Sequence, residues 1–319
     1  RNTGNEENCM DEIAVAVAAD DRYAQHGAVA CASILLQHQR GCPVHVYFLS
    51  DNISKEKEAA ITATVTRLQG KISFIATGDI AIQAHTSGHI NRAAYLRLML
   101  DQLLPENVTK VIYLDTDLLV LDDIETLWHT PLEGKPMAAV PDLGILCSKR
   151  MVKQKEATLG IPAGDLYFNS GVMVLDLAAW RSHHYGQQVL EKVAQGAFRH
   201  HDQDGLNLVF KDNWQALPLR WNVIPPIFTL PLKVLTHSNW RHKAIEAAKH
   251  PAVFHWAGRY KPWEFERDGA FNERYYDVLK ETAFADVAMP QPSADMKGKS
   301  IGRQEFRMKV AKMWERILS

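Results

Sequence analysis

Two aspartates, Asp115 and Asp117 in Val111-Ile-Tyr-Leu-Asp-Thr-Asp-Leu118, follow directly on a continuous apolar run, an order of residue types suited to holding a divalent cation. An unbroken Val/Ile/Leu/Tyr run reads as a buried strand of a parallel sheet, and side chains at i and i+2 of an extended chain point to one side. Both carboxylates then face one point at the carboxyl end of the strand, where open α/β sheets bind ligands. Two anionic oxygen ligands placed together repel unless a cation, or a cation with a phosphate behind it, neutralises them. An isolated Asp-x-Asp is also a common solvated loop or helix cap, so the rest of the chain has to decide.

The elements that must position this pair are legible around it. Short β-rich runs recur at Ile13–Val17, Val44–Leu49, Ile72–Ala76, Val111–Leu114, Met137–Val140, Val172–Leu175 and Val253–Trp256, with helix-like stretches at Tyr23–Gln39, Ser54–Leu68 and Asn91–Leu104. Ser54 and the charged run Lys55-Glu-Lys-Glu58 give the second helix a cap and a polar first turn. Strands alternating with helices of this length predict an α/β fold with a mostly parallel sheet covered on both faces. After Trp221 the segment Ile224-Pro-Pro-Ile-Phe-Thr-Leu-Pro231 reads as an irregular, Pro-stiffened connection.

At 319 residues with 46% apolar and 23% charged content, the chain can bury a large core in one domain or one and a half. A formal net charge of -1 supplies no general attraction to nucleic acid or anionic lipid, leaving only local clusters to do so. Cys9, Cys31, Cys42 and Cys147 form no C-x-x-C pair and no disulfide-dense pattern, which fits a reducing cytosol. The apolar stretch Ile13 to Ala19 falls far short of the roughly 20 residues of a membrane span, and no export signal is evident.

The C-terminal segment has a different character. Lys297 to Ser319 carries seven basic residues against two acidic ones, interleaved with Ile301, Met308, Val310, Met313, Trp314, Ile317 and Leu318. As a helix it suits either an anionic membrane surface or docking on its own domain. Pro-containing residues 289–300 read as the linker before it, which divides the chain into a polar extension at 1–12, a main domain at 13–288 and a linker plus basic helix at 289–319.

Five further motifs bear on the carboxylates. Ala18-Ala-Asp-Asp-Arg-Tyr23 follows the first strand, where Asp20 suits a base or ribose and Tyr23 suits a ring, although the same residues suit a helix cap. Asn91-Arg-Ala-Ala-Tyr-Leu-Arg97 opens a helix, so Arg92 sits at a terminus that favours anions or simply on the surface. In Tyr167-Phe-Asn-Ser-Gly-Val-Met-Val174, Gly171 permits close backbone approach and Asn169 offers a donor and an acceptor to sugar hydroxyls; an ordinary turn would look the same. His201-Asp-Gln-Asp-Gly-Leu-Asn207 starts a helix, where Asp is routine capping. Finally, His255-Trp-Ala-Gly-Arg-Tyr-Lys-Pro-Trp263 suits one metal ligand and one phosphate contact, or a turn.

The order and content of these motifs together resemble glycosyltransferase family 8, whose members are retaining, metal-dependent enzymes including lipopolysaccharide galactosyl- and glucosyltransferases. The resemblance runs from about Ile13 to Trp263 through Ala-Ala-Asp-Asp, Arg-Ala-x-Tyr-x-Arg-Leu, Tyr-Leu-Asp-x-Asp, Phe-Asn-x-Gly, Asp-Gln-Asp and His-x-x-Gly-x-x-Lys-Pro-Trp. It implies a GT-A-type, Rossmann-like mixed sheet flanked by helices. It implies that Asp115, Asp117 and His255 bind manganese, or magnesium, bridging the phosphates of a UDP-sugar. Ala18, Asp20 and Tyr23 would hold uracil and ribose, Thr116 would join the donor-binding set, and Gly258 and Lys261 would meet the diphosphate. Arg92, Asn169, Asp202 and Gln203 would surround the donor sugar as the catalytic set. Arg22 stands where many members have Asn, a departure from the family pattern on the ribose side.

These positions imply transfer of a galactose or glucose from a UDP-sugar to a glycan or glycolipid acceptor, lipopolysaccharide core above all, with Asp142 as an acceptor contact or a helix cap. Location follows as cytoplasmic, at the inner face of the membrane if the basic tail attaches there, and nucleic acid is not expected as a partner. Two other readings compete. A haloacid-dehalogenase-type phosphatase also uses Asp-x-Asp after a strand, but usually after the first strand and with Thr or Val where this chain has Leu119. A non-catalytic glycan-binding relative is the other, opposed by the intact metal and phosphate positions.

Overall fold

The run Val111–Leu114 forms, with Lys110, the middle strand of a seven-stranded sheet, and its four apolar residues are at most 1% exposed. The computed structural model describes residues 12–38, 41–77, 93–196, 198–229, 240–258, 261–264 and 270–286. Nine strands are described: β1 Ile13–Asp20, β2 Val44–Asp51, β3 Lys71–Ala76, β4 Lys110–Leu114, β5 Leu118–Val120, β6 Met137–Pro141, β7 Phe168–Asp176, β8 Gln215–Ala216 and β9 Val253–His255. The large sheet has the order β3-β2-β1-β4-β7-β6-β8, and β5 pairs with β9 in a separate ribbon.

The direction of each strand decides where the polar motifs meet. β3, β2, β1 and β4 run parallel, so Asp20 and Asp115 emerge at the same edge. β7 is antiparallel to β4, with Leu114 opposite Val172, which returns Asn169 and Gly171 at the start of β7 to the end of β4. β6 is antiparallel to β7, with Val140 opposite Asn169, so Asp142 arrives at that edge too. In the ribbon Leu118 pairs with His255. Chain direction alone therefore gathers residues from four strands of the sheet and from the ribbon beside it.

All seven anticipated strands are present and the mixed, mostly parallel α/β architecture is in place, but only six of them lie in the large sheet: Val253–Trp256 supplies β9 of the ribbon, and the sheet's seventh strand is the unanticipated β8. The helix Ala24–Gln37 is buried from Ala24 through Leu35 because it packs between the ribbon and the helices Lys55–Arg67 and Ala270–Lys280. Its alanines and Gly27 make that possible; a Cβ at Gly27 would lie 2.6 Å from Phe48 Cζ.

Several local expectations need correction. Ser54 stands at the N-cap of Lys55–Arg67 but makes no side-chain cap, and Asp21 Oδ1 instead accepts its backbone N–H at 2.9 Å. The stretch expected as one helix over Asn91–Leu104 is divided, where described, into Ala93–Leu96, a 3-10 turn Arg97–Met99 and Leu100–Leu103. Pro226–Thr229 forms a helical turn rather than an irregular connection, since proline is well tolerated at a first helical position. Cys42 is disulfide-bonded whereas Cys31 and Cys147 are free, so one cysteine departs from the expected absence of disulfides. Among the described residues no helix is long and apolar enough to cross a membrane. The N-terminal extension up to residue 11, the linker and the basic C-terminal helix lie outside the described residues.

Candidate active site

Two backbone pairings bring the carboxylates and the distant imidazole together. Asp115 leaves β4 with its N–H donated to the Gly171 carbonyl at 2.9 Å, and Trp256 donates its N–H to the Asp117 carbonyl at 2.9 Å. His255 Nε2 then lies 3.1 Å from Asp117 Oδ1 and 3.7 Å from Asp115 Oδ2. One ligand atom from each of the three residues falls within 4.8 Å of the other two. Gly171 is required for this approach: a Cβ there would sit 2.3 Å from His255 Cε1 and 2.9 Å from Asp115 Oδ2. The glycine expected to permit close backbone approach does so toward the imidazole.

The outward oxygens of both aspartates are engaged by other groups. Asp115 Oδ1 accepts from Tyr113 Oη at 2.9 Å and pairs with Arg97 Nη2 at 2.9 Å. Asp117 Oδ2 accepts from the Lys261 ammonium, which also donates to the Trp256 carbonyl at 2.7 Å. Each carboxylate therefore turns one oxygen toward a protein cation and the other toward His255. Burial disfavours ionisation of Asp117, but Lys261 and His255 outweigh it and hold the carboxyl well below its ordinary range. Two carboxylate oxygens and an imidazole nitrogen form a donor set that suits manganese or magnesium better than a thiolate-loving ion. The residues present fit such a cation.

Arg97 is the functional candidate that sequence reasoning missed. Its guanidinium, on a side chain 9% exposed, joins Asp115 Oδ1 through Nη2 and Asp202 Oδ2 through Nε at 3.1 Å, and Nη1 donates to the Ser170 carbonyl at 3.1 Å. Burial would lower its affinity for a proton, yet Asp115, Tyr113 and Asp202 raise it above the usual arginine value. Asp202 is pushed up by burial, opposed by Arg97 and reinforced by Asp115. Arg92 lies outside the described residues. The available signal was the second arginine of Arg-Ala-x-Tyr-x-Arg, five positions on.

Beside Arg97 lies a group of amides and carboxylates. Gln203 Oε1 accepts from Ser170 N–H at 3.1 Å, and its Nε2 donates to Asp142 Oδ2 at 3.1 Å. Asn169 Nδ2 donates to the same oxygen at 3.2 Å. Asp142 Oδ1 meanwhile accepts from Ile145 N–H at 3.2 Å, capping the short helix Leu143–Leu146. Asp142 is thus a helix cap with its second oxygen aimed into the amide group. Asp204, not Asp202, takes the capping role at the helix His201–Phe210, accepting from His200 N–H at 2.8 Å and Tyr167 Oη at 2.6 Å.

The residues at the end of β1 are engaged locally. Asp20 Oδ1 accepts from Tyr23 N–H at 2.9 Å, stabilising the turn into the first helix, while its other oxygen pairs with exposed Arg22 at 3.3 Å. Tyr23 packs edge-on against Trp263, with centroids 6.0 Å apart, and burial together with Asp117 pushes its hydroxyl up to about 12. Ala18 and Thr116 are buried. Gly258 is exposed with φ +96, a backbone conformation that favours glycine.

The glycosyl transferase family 8 model matches residues 14–267. General stress protein A of Bacillus subtilis (strain 168) is 30% identical over 292 residues, covering 88% of this chain and 98% of that protein. The lipopolysaccharide 1,2-glucosyltransferase of Escherichia coli (strain K12) is 28% identical over 259 residues, covering 80% of this chain and 74% of that enzyme. The solved structure of galactosyltransferase LgtC in complex with donor and acceptor sugar analogs superposes with a TM-score of 0.74 at 29% identity, covering 87% of this chain and 98% of that one.

Proposed function

The chain belongs to glycosyl transferase family 8, and from that premise we propose that it is a metal-dependent, retaining hexosyltransferase that moves galactose or glucose from a UDP-sugar to a hydroxyl of a glycan or glycolipid, with lipopolysaccharide core as the leading acceptor class. The observation that carries this reading is the meeting of Asp115 Oδ2, Asp117 Oδ1 and His255 Nε2 at one point, with the Lys261 ammonium held on the far side of Asp117.

Breaking a glycosyl-phosphate bond leaves extra negative charge on the diphosphate while positive charge develops at the anomeric carbon. Manganese or magnesium, held by Asp115, Asp117 and His255, would neutralise diphosphate charge, in general a large catalytic contribution. Lys261 adds a second cation, and exposed Gly258 at positive φ leaves its backbone open to phosphate approach. Ala18, Asp20, Tyr23 and Thr116 border the nucleotide side. Arg97 holds Asp115 and Asp202 in fixed positions, and with Asn169, Asp142 and Gln203 it frames the sugar side.

Retention follows from attack on the face the diphosphate leaves. The bond from C1 to the phosphate oxygen breaks, the bond from C1 to the acceptor oxygen forms, and the acceptor proton passes to the departing phosphate. Gln203 is an amide with its oxygen on Ser170 N–H and its nitrogen on Asp142, and Asp202 is paired with Arg97, which supports a role for both in steadying the sugar rather than forming a bond to it. The basic segment Lys297–Ser319 is proposed to bring the enzyme to an anionic membrane surface on the cytoplasmic side.

UDP release measured across a panel of UDP-galactose, UDP-glucose and UDP-galacturonate, with manganese and then with chelator, tests the reading. Turnover with a neutral hexose donor that the chelator abolishes is expected, with the product anomer matching the donor's. No turnover with any donor would make the chain a binding relative, and a glycosyl adduct trapped on Asp202 or Gln203 would overturn same-face attack.

A further inference from the structure

His255 has two ring nitrogens, and only a lone pair on Nε2 can serve a cation between the two aspartates. Which nitrogen carries the proton is set by what the other one meets. Nδ1 lies 3.0 Å from Asn222 Oδ1, and Asn222 is buried at 2% exposure. An amide can turn either end toward a partner, so this contact alone does not settle the tautomer.

The neighbouring contacts do settle it, because the chain of hydrogen bonds starts at a donor that cannot be reversed. The backbone N–H of Gly171 meets Asn169 at 3.0 Å, so the Asn169 atom there must be its oxygen. That oxygen also faces the Asn222 side chain at 2.8 Å, which must therefore present its NH2. Asn222 is left with its oxygen toward His255, and His255 Nδ1 must carry the proton. The other end agrees: Asn169 Nδ2 donates to Asp142 Oδ2, an acceptor only. Position is fixed as well as direction, since Val223 beside Asn222 bridges Phe254 in register, and His255 N–H donates to the Val223 carbonyl at 2.9 Å.

We propose that Asn222 is a positioning residue that fixes His255 with Nδ1 protonated and Nε2 facing the two aspartates, its own direction being set through Asn169 by the Gly171 backbone. Asn222 also ties the metal side to the sugar side, because Asn169 and Asp142 receive the same chain of hydrogen bonds. The inference rests on the metal role proposed for His255, and its consequence for the tautomer does not.

Three measurements on the full chain test it. Nitrogen-15 NMR of labelled histidines, without added metal, should find a proton on His255 Nδ1 in the wild type. Manganese titration should find binding weakened roughly 10–100-fold in Asn222→Ala, the usual cost of losing such a partner. Asn222→Asp keeps the acceptor for Nδ1–H but loses the donor to Asn169, so manganese affinity should stay near wild type while KM for the sugar donor rises. That split would not arise from general loosening of the fold. A bare Nδ1 in the wild type, unchanged manganese affinity in Asn222→Ala, or equal weakening in the alanine and aspartate variants would overturn the proposal. A wild type that binds no manganese but carries the Nδ1 proton would instead remove the metal reading.

Discussion

Two clusters in this molecule contain the same kinds of residue, a histidine and two nearby carboxylates, and they are built for different ends. At the carboxyl end of β4, His255 uses one nitrogen on Asn222 and turns the other toward Asp115 and Asp117. Near the C-terminus of the first helix, His38 meets Asp123 and Glu125, but its nitrogens are both engaged, by Asp123 Oδ1 at 2.7 Å and by the Cys42 carbonyl at 2.8 Å. Asp123 Oδ1 is further used as the cap of the helix Ile124–Trp128, accepting from Glu125 N–H at 2.9 Å. The inventory of ligand types therefore does not distinguish a site from a structural knot. What distinguishes them is whether donor atoms remain directed at a common point after backbone and caps have been satisfied.

The largest expected difference between the clusters is in catalysis. Asp117→Asn should lower sugar transfer on the order of 10³-fold, since it removes a charge aimed at the diphosphate side; steady-state kinetics at saturating manganese reads this directly. A residual activity near wild type would put the two clusters on equal footing.

Next in size is Arg97→Met. Asp115 and Asp202 would lose the buried cation they share, and unfolding free energy in urea should fall by about 3–5 kcal/mol, the usual cost of removing one partner from a buried ionic group. Loss of activity without loss of stability would mean that Arg97 serves the sugar alone.

A third histidine makes the contrast dependent on pH. His26 stacks on Trp263, with centroids 3.6 Å apart, and meets Tyr275 Oη at 2.6 Å, holding the segment that carries Lys261. Burial pushes it down to about 3, with Asp117 pulling the other way. It is therefore neutral when folded but takes up a proton below about 6.5 when unfolded. Its contribution is complete above that pH and is lost as pH falls from about 6.5 toward 3, by about 1.4 kcal/mol per pH unit. His26→Phe should flatten the pH dependence of the urea midpoint between pH 7 and pH 5, while an unchanged slope would assign acid sensitivity elsewhere.

The smallest effect belongs to His38→Gln, which loses about 1 kcal/mol of stability for a hydrogen bond left unmade and leaves transfer kinetics unchanged.

How far these differences could be read beforehand varies by residue. Val111–Leu114 and its six companion strands were legible because each is a short run rich in β-branched, aromatic and other apolar residues, interrupted at most by one polar residue such as His45, Ser73 or His255. β5, three residues just past the Asp-x-Asp turn, and β8, the two residues Gln215–Ala216, were not, because neither stands out from its surroundings as a separate apolar run. The Asp115, Asp117 and His255 convergence followed from the family motifs, whereas Arg97 was passed over for Arg92 because nothing in Ala93–Leu103, which has neither glycine nor proline, signals the 3-10 turn there. Asn222 carries no motif at all. It becomes visible only when Val223 pairs beside β9 and sets an amide against the imidazole.

Manganese binding to the full chain, compared among wild type, Asp117→Asn and His38→Gln by titration calorimetry, puts the difference between the clusters to its most direct test. One site should be found in the wild type and in His38→Gln and lost in Asp117→Asn. Binding that survives Asp117→Asn and disappears in His38→Gln would place the cation at the wrong end of the molecule and contradict the proposed active site.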